Sequence, residues 1–353
     1  MTGPVPTRGS DRLAAESFNW LLVHSPLLGP GSWSAVAQIL RAEGEHVDVP
    51  DLGPALIAGH DFAERQAALA AQAPDTGPLV VAAHSAAGPL LPSIVRALRE
   101  RGIEVTRCLL VDARLPLPGR SRRSALPAEF AAHLDSLTVD GMLPPWPQWW
   151  PSDALEELLP DVQLRAALAE DCRPLPVAFY DEPMPVDADL PPTGYLMLSE
   201  PYADAAAEAE SAGWAVARLA ADHLALLTRP GELTAAMREL ADRTSALADA
   251  GRRHVARFNR AVHDGDWASF AAAFAEDATM SFTNVPVGPF HGRQAIEQAY
   301  YAQPPDDTMT IREIEGIQPD TTIVSFVWDA NGPGTMTLHW AAGLVQELVI
   351  TFG

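Results

Sequence analysis

The stretch LVVAAHSAAGPL, residues 79–90, decides the fold. Its first five residues form an uninterrupted apolar run, which is typical of a strand buried on both faces of a parallel sheet. A helix is predicted directly after Ser85. Ala83 and Ala87 flank this serine, and a sharp turn from strand to helix needs small side chains there and lifts the serine hydroxyl out of the sheet. The sequence alone also allows Ser85 to serve only as a helix cap.

Apolar runs alternate with amphipathic stretches on both sides of this turn. Such alternation predicts an α/β fold in which a parallel sheet carries helices on both faces. Between residues 113 and 192 the alternation is interrupted by sequence rich in proline and tryptophan, which we interpret as a cap inserted over the sheet. The predicted strands are 20–24, 46–50, 79–83, 106–111, 193–199 and 214–219, and the predicted helices are 32–41, 62–73, 89–101, 204–212 and 231–250.

The turn at Ser85, set in this alternation, resembles the α/β-hydrolase superfamily over roughly residues 18–240. The resemblance implies a doubly wound, mostly parallel sheet and makes Ser85 the nucleophile. It also implies a general base in the loop after the last strand, where His223 lies. The acid of the triad follows either of two strands in this family, and both places carry a carboxylate here. Asp112 and Glu200 therefore remain alternatives.

The loop after the first predicted strand departs from the family pattern. Acyl transfer needs N–H groups aimed at the developing oxyanion, and Ala86, next after the nucleophile, is expected to supply one. By resemblance the second donor falls at about Pro26, which has no N–H. Three alternatives stay open: the Leu27 N–H takes over, the Ser25 hydroxyl contributes, or the pocket no longer stabilises a tetrahedral intermediate.

The predicted cap concentrates Trp146, Trp149 and Trp150 among prolines. A rigid apolar lining of this kind indicates a bulky, hydrophobic or aromatic acyl group as substrate. Packing of the cap onto the sheet would use the same tryptophans equally well. His24, at the end of the first predicted strand, is a further candidate for contact with the substrate.

A different pattern begins after Gly251. Two helices (253–262 and 267–275), a strand (279–283) and a third helix (293–302) precede strands at 309–317, 322–328, 335–340 and 344–352. This order predicts an α+β domain with a curved antiparallel sheet. The strings FNRAVHDGD (258–266), FAEDATMSF (274–282) and GRQAI (292–296) resemble the cone-shaped fold of nuclear transport factor 2, ketosteroid isomerase and the SnoaL-like polyketide cyclases.

The resemblance to the isomerases implies a carboxylate base on the strand after the second helix. That strand reads MSFT at residues 280–283 and has no acid, which argues against isomerase chemistry. The other polar candidates in this domain are Asp329, His339, His291 and Tyr300. Cones of this type also bind small apolar ligands or form dimer contacts, so a homodimer through this domain is one expectation.

The composition narrows the choice of partners. The 353 residues include 46 acidic and 24 basic residues, and the formal net charge is −22. A surface this acidic repels phosphate backbones and anionic membranes, so we expect neither nucleic acid nor membrane as a partner. All basic residues are arginine, which excludes Schiff-base lysines and Walker-type phosphate loops. The histidines show no metal-ligand spacing and no dinucleotide loop appears, so we expect no metal or cofactor.

The remaining expectations concern location and domain limits. Cys108 and Cys172 are expected to be inert thiols of a reducing compartment, and residues 1–17 lack the apolar core of a signal peptide, so we expect a cytoplasmic protein. We predict a tail at 1–17, a hydrolase domain at 18–250 with its cap at about 113–192, and a cone domain at 251–353.

The leading hypothesis is a serine hydrolase that acts on an apolar ester, thioester or related acyl compound, by analogy in secondary metabolism. One alternative places the chemistry in the cone domain, as a cyclase, epoxide-opening or isomerase-type enzyme. The other alternative is a ligand-binding protein without catalysis, for which Pro26 is the best support.

Overall fold

The computed structural model describes residues 18–56, 59–75, 77–186, 190–244, 246–283, 285–317, 320–330 and 332–352, so the predicted tail at 1–17 lies outside the described residues. The first part of the chain contains β1 (Asn19–Val23), α1 (Ser34–Ala42), β2 (His46–Asp48), α2 (Phe62–Gln72), β3 (Leu79–His84), α3 (Leu91–Glu100), β4 (Val105–Val111), α4 (Ala128–Leu137), β5 (Met142–Leu143), α5 (Ser152–Leu158), α6 (Val162–Asp171), β6 (Leu175–Pro176), α7 (Ala178–Asp181), β7 (Thr193–Met197), α8 (Ala203–Ser211), β8 (Ala215–Arg218), α9 (Ala225–Thr228) and α10 (Pro230–Arg243). The second part contains α11 (Ala246–Asp264), α12 (Trp267–Ala271), β9 (Phe274–Thr283), β10 (Phe290–His291), α13 (Arg293–Ala302), β11 (Met309–Ile317), β12 (Thr321–Trp328), β13 (Gly332–Ala341) and β14 (Leu344–Phe352).

Six strands form a parallel sheet in the order β2-β1-β3-β4-β7-β8. Alternate side chains of a strand point to opposite faces, and every residue of β3 is buried. Val81 and Ala83 pack on the face covered by α2, α3 and α8, while Val80 and Ala82 pack on the face covered by α1 and α10. The predicted doubly wound α/β architecture is confirmed.

The chain between β4 and β7 leaves this sheet and forms four helices and the short antiparallel pair β5-β6. Its apolar side chains, which include Leu134, Leu143, Trp149 and Phe179, form a small core together with Leu56 and Phe62. This segment, which interrupts the strand-helix alternation in the sequence, covers the carboxyl edge of the sheet. The side chains of Ser85 and its partners lie at the same edge.

The second part of the chain is built around a six-stranded sheet in the order β10-β9-β14-β13-β12-β11. Its pairs are antiparallel, as predicted, except that β14 runs parallel to β9. The helices cover one face, and the core between them is rich in aromatic side chains such as Phe258, Trp267 and Phe326. These features confirm the predicted α+β cone.

The junction of the two parts differs from the prediction. The predicted helix 231–250 ends at Arg243, and a single helix, α11, runs without a break through residues 250 and 251. Gly251, after which the sequence pattern changes, lies inside α11 at a place of close packing. A Cβ at this position would lie 2.6 Å from Cγ2 of Thr322 and 2.8 Å from Cδ1 of Ile314, so a larger residue would force these side chains to move.

Candidate active site

Ser85 lies on a strained turn between β3 and a 3₁₀ helix (Ser85–Leu90) that leads into α3. Its φ angle is 58°, in the left-handed region that residues other than glycine seldom adopt. The turn is also tightly packed, because a Cβ on Gly88 would lie 1.9 Å from the carbonyl oxygen of Arg114. Strain held in place by such packing is typical of functional sites. It points the Ser85 side chain away from the sheet and into a cavity.

Ser85, His223 and Asp112 are joined by hydrogen bonds. Oγ of Ser85 lies 2.9 Å from Nε2 of His223, and Nδ1 of His223 lies 2.7 Å from Oδ2 of Asp112. Because an ionised carboxylate only accepts hydrogen bonds, Nδ1 carries the proton and Nε2 is free to accept the proton of the Ser85 hydroxyl. This order of groups activates a serine as a nucleophile.

Asp112 is fully buried at the end of β4, with a positive φ of 43°. The N–H groups of Leu198 (2.8 Å) and Ser199 (3.0 Å) donate to its Oδ1, and the Ser199 hydroxyl donates to Oδ2 at 2.5 Å. Burial alone would raise the pKa of Asp112, but the hydrogen bonds from His223, Ser199 and Leu198 together hold this pKa below its ordinary value. The carboxylate therefore stays ionised.

Glu200, the other candidate acid, does not reach this group. It begins a 3₁₀ helix (Glu200–Tyr202) after β7, and its side chain is exposed. The chain just before it contributes to the site in another way, because Leu198 and Ser199 bind the carboxylate of Asp112. Of the two acids that the sequence leaves open, Asp112 is the one that contacts His223.

The imidazole of His223 lies between two other rings. The ring of His84 is on one side at 4.7 Å between centroids, and the ring of Tyr202 stacks on His223 at 5.0 Å with 7° between the planes. His84 donates from Nε2 to the carbonyl oxygen of His223 at 3.0 Å. Burial and the neighbouring His223 lower the pKa of His84 to about 3, so His84 stays neutral and adds no charge next to the base.

Tyr202 is a site residue that the sequence reasoning did not identify. Its hydroxyl lies 3.4 Å from Oγ of Ser85, and the guanidinium of Arg114 lies over its ring at 5.4 Å. The signal for Tyr202 in the sequence is its position two residues after Glu200, the candidate acid at the end of β7.

The candidate oxyanion donors are unequal. Ala86 lines the cavity beside Ser85, and its N–H belongs to the first turn of a helix, where amides have no partner within the helix. Leu27 also lines the cavity, but its N–H donates to Oγ of Ser25 at 3.3 Å. Ser25 is 1% exposed and is not among the lining residues, so its predicted role at the oxyanion is not supported by its position.

The cavity at Ser85 has a volume of about 380 Å³. Trp146, Trp149 and Trp150 all line it, together with Phe130 and further apolar side chains of the cap. Trp149 also belongs to the core of the cap and donates from Nε1 to the carbonyl oxygen of Pro144 at 2.7 Å. It therefore both lines the cavity and packs the cap, as the two interpretations of the tryptophans propose.

His24, predicted to contact the substrate, has a structural place instead. It is 1% exposed, its Nδ1 donates to the carbonyl oxygen of Ser25 at 2.8 Å, and its Nε2 accepts from the N–H of Leu52 at 3.0 Å. Both ring nitrogens are therefore used in joining two loops, and His24 does not line the cavity. A histidine at the end of a buried strand satisfies neighbouring backbone groups, which the sequence pattern does not distinguish from substrate contact.

The candidates in the cone do not form one site. Asp329 is exposed and accepts from the hydroxyls of Thr308 and Thr310, and His291 is exposed as well. His339 lies on the outer face of β13, within 3.0 Å of the Thr321 hydroxyl.

Tyr300 lines a cavity of about 270 Å³, and its hydroxyl donates to the sulfur of Met280 at 3.3 Å. Within the described residues no cluster of histidine, cysteine and acidic side chains could hold a metal ion. No described helix has the length and apolar character needed to cross a bilayer.

Solved structures similar to this chain have the α/β-hydrolase fold. An extracellular α/β-hydrolase from a Paenibacillus species is 18% identical and superposes with a TM-score of 0.52, over 65% of this chain and 99% of its own. A pyrethroid hydrolase from Sphingobium faniae is 21% identical, with a TM-score of 0.51 over 64% of this chain and 98% of its own. Methylketone synthase I from tomato, bound to 2-tridecanone, is 14% identical, with a TM-score of 0.50 over 65% and 100%.

Sequence comparison adds a family for the second part of the chain. No curated protein sequence gives a significant match. The family model of the SnoaL-like domain matches residues 255–345. Residues 255–345 are thus a SnoaL-like domain, and they follow a part of the chain that has the α/β-hydrolase fold.

Proposed function

We propose that the protein is a serine hydrolase that cleaves an apolar ester, thioester or related acyl compound. The observation that carries the proposal is the pair of short contacts from Ser85 through His223 to Asp112. The three side chains come from the ends of β3 and β4 and from the loop after β8, and they meet beside a cavity. The same surroundings keep Asp112 ionised and His84 neutral around the base, as this chemistry requires.

The reaction follows from these contacts. Oγ of Ser85 attacks the acyl carbon while its proton passes to Nε2 of His223, and the electrons of the C=O bond move to the oxygen. Asp112 stabilises the protonated imidazole and holds its orientation. When the intermediate collapses, the leaving group takes the proton from Nε2. Water then attacks the acyl-enzyme by the same route, which releases the acid and restores Ser85.

The lining of the cavity supports an apolar acyl group as substrate. The cap contributes Trp146, Trp149 and Trp150, and a cavity of about 380 Å³ is in the range that encloses small organic ligands. Two of the similar structures belong to proteins whose names refer to apolar compounds, a pyrethroid hydrolase and a methylketone synthase bound to 2-tridecanone. We include a role in secondary metabolism in the proposal because of the fusion with a SnoaL-like domain.

A fluorophosphonate probe tests the proposal directly. We expect one adduct on Ser85 by mass spectrometry, lost in Ser85→Ala and strongly slowed in His223→Ala. Ser124→Ala removes an exposed serine hydroxyl of the cap and is the matched control, which should label like the wild type. A folded wild-type protein that fails to react at Ser85 would refute the proposal.

A second candidate, ligand binding in the cone without catalysis, is favoured by the aromatic cavity at Tyr300. It predicts that apolar ligands raise the melting temperature of the whole protein and that Trp328→Ala, but not Ser85→Ala, removes this effect. The two functions can coexist because the cavities share no lining residue.

A further inference from the structure

The loop after β1 does not provide a free N–H as the second hydrogen-bond donor to the oxyanion of the proposed reaction. Pro26 has no N–H, the N–H of Leu27 donates to Oγ of Ser25, and the N–H of Leu28 donates to the carbonyl oxygen of Ser25 at 2.9 Å. The amides of this loop that could face the cavity are therefore missing or already engaged. Ala86 supplies one donor, and a single donor stabilises an oxyanion less well than two.

Tyr202 brings another donor to the same place. Its hydroxyl is 3.4 Å from Oγ of Ser85, and it lines the cavity with Ser85, Ala86 and His223. After attack, the charged oxygen and Oγ are bonded to the same carbon, so a donor at this distance from Oγ reaches that oxygen when the oxygen points toward the side of the cavity where Tyr202 lies. Burial raises the pKa of Tyr202, which keeps its hydroxyl protonated and able to donate.

The ring of Tyr202 is held in position before any substrate binds. One contact is the stacking on His223, and another is the guanidinium of Arg114 over the ring. Electrostatic stabilisation of a transition state is strongest when the donor needs no reorganisation during the reaction. A fixed phenol meets this condition better than a mobile side chain at the surface.

We propose that the Tyr202 hydroxyl is a catalytic donor, which supplies the second hydrogen bond to the oxyanion in place of the N–H that Pro26 lacks. The inference rests on the proposed serine hydrolase function. In the first step the bond between Oγ and the acyl carbon forms, the C=O electrons move to oxygen, and the proton of Ser85 passes to His223. Ala86 N–H and Tyr202 O–H then donate to the new anion without losing their protons.

Tyr202→Phe is the decisive variant, because it removes the hydroxyl and keeps the ring that stacks on His223. With p-nitrophenyl butyrate we expect kcat to fall by about 10²-fold with little change in KM. Inhibition by an alkyl trifluoromethyl ketone, which adds to the serine and leaves a charged oxygen, should weaken by a similar factor. The dependence of kcat/KM on pH should keep its shape. Tyr301→Phe, an exposed tyrosine in α13, is the matched control and should behave like the wild type.

Tyr202→Leu separates the hydroxyl from the stacked ring. It should lose more kcat than Tyr202→Phe does, because the imidazole of His223 then also lacks its stacking partner. If Tyr202→Phe keeps full kcat while wild-type Ser85 reacts with the fluorophosphonate, the inference is wrong and the hydrolase proposal stands. A shifted pH profile in Tyr202→Phe would instead make Tyr202 a positioning residue and overturn the catalytic role. A wild type that does not react would overturn both.

Discussion

The cavity at Ser85 and the cavity in the cone are both lined by aromatic side chains but differ in the polar groups they contain. The cavity at Ser85 holds the proposed nucleophile and the proposed base, which are joined by hydrogen bonds from Ser85 through His223 to the buried Asp112. The cavity in the cone holds Tyr300, whose hydroxyl is engaged by a sulfur atom, and acidic side chains at 306 and 307.

The difference shows that an enclosed apolar volume does not by itself indicate chemistry. In the first cavity the surrounding backbone fixes the ionisation of Asp112 through the amides of Leu198 and Ser199. In the cone, Asp307 accepts from the N–H of Ala330, so its carboxylate is engaged with backbone. We therefore expect catalysis in the first cavity alone.

The largest expected effect is the loss of the nucleophile or the base. Ser85→Ala and His223→Ala should each lower kcat for p-nitrophenyl butyrate by about 10⁴-fold or more, because neither attack nor proton transfer can proceed without the pair. Tyr300→Phe, the corresponding change in the cone cavity, should leave kcat unchanged. Steady-state kinetics of the three purified variants checks this. A large loss in Tyr300→Phe with an active Ser85→Ala would move the chemistry to the cone.

Substitutions of the two candidate acids should differ in their effect on kcat by a similarly large factor. Asp112→Asn keeps the shape of the side chain but no longer holds the proton on Nδ1 of His223, so we expect kcat to fall by about 10³-fold to 10⁴-fold. Glu200→Gln changes an exposed side chain and should stay within a factor of about two. The same steady-state assay measures both variants. Equal losses of kcat would contradict the role of Asp112 as the acid that orients His223.

Much of the first cavity could be predicted from the sequence because its parts are local. The turn at Ser85 needs small neighbours on both sides, and His223 follows the last strand of the sheet, so each leaves a signal in a few consecutive residues. The choice of acid left no such signal. It depends on which strand end brings a carboxylate to Nδ1 of His223, and the amides of Leu198 and Ser199 that bind this carboxylate lie 86 and 87 residues further along the chain.

The wrong or missing predictions have a common physical origin in contacts that are distant in sequence or invisible in its local pattern. His24 looked accessible at a strand end, but Leu52 and Ser25 use both of its ring nitrogens. The predicted helix 231–250 is divided between α10 and α11, and Gly251 is the place where α11 packs against β12. The stacking of Tyr202 on His223 leaves no pattern in the local sequence, and only the closeness of Tyr202 to Glu200 points to it.

The cap should determine which acyl groups the first cavity accepts. Trp150 is 37% exposed and lines the cavity, so Trp150→Ala removes part of an apolar contact with the substrate. We expect kcat/KM to fall by about 10-fold for p-nitrophenyl octanoate and little for the acetate. Val139→Ala, an exposed apolar residue of the cap outside the cavity, is the matched control. An equal loss for both esters would indicate damage to the cap rather than a lost contact.

The smallest expected effect concerns the hydroxyl of Ser199, which favours the ionised form of Asp112. Because the pKa of Asp112 is lowered in the folded protein, the stabilisation is present at neutral pH and is lost as the pH falls through that lowered pKa. Ser199→Ala should therefore lower the free energy of unfolding by about 1–3 kcal/mol at pH 7 and at pH 5, and by less at pH 3, as measured by urea titration. Thr310→Val removes a similar hydrogen bond from the exposed Asp329 of the cone, where solvent screens the carboxylate, so its effect should be smaller at every pH. A Ser199→Ala difference that did not shrink at pH 3 would mean that the hydroxyl stabilises the loop and not the charge of Asp112.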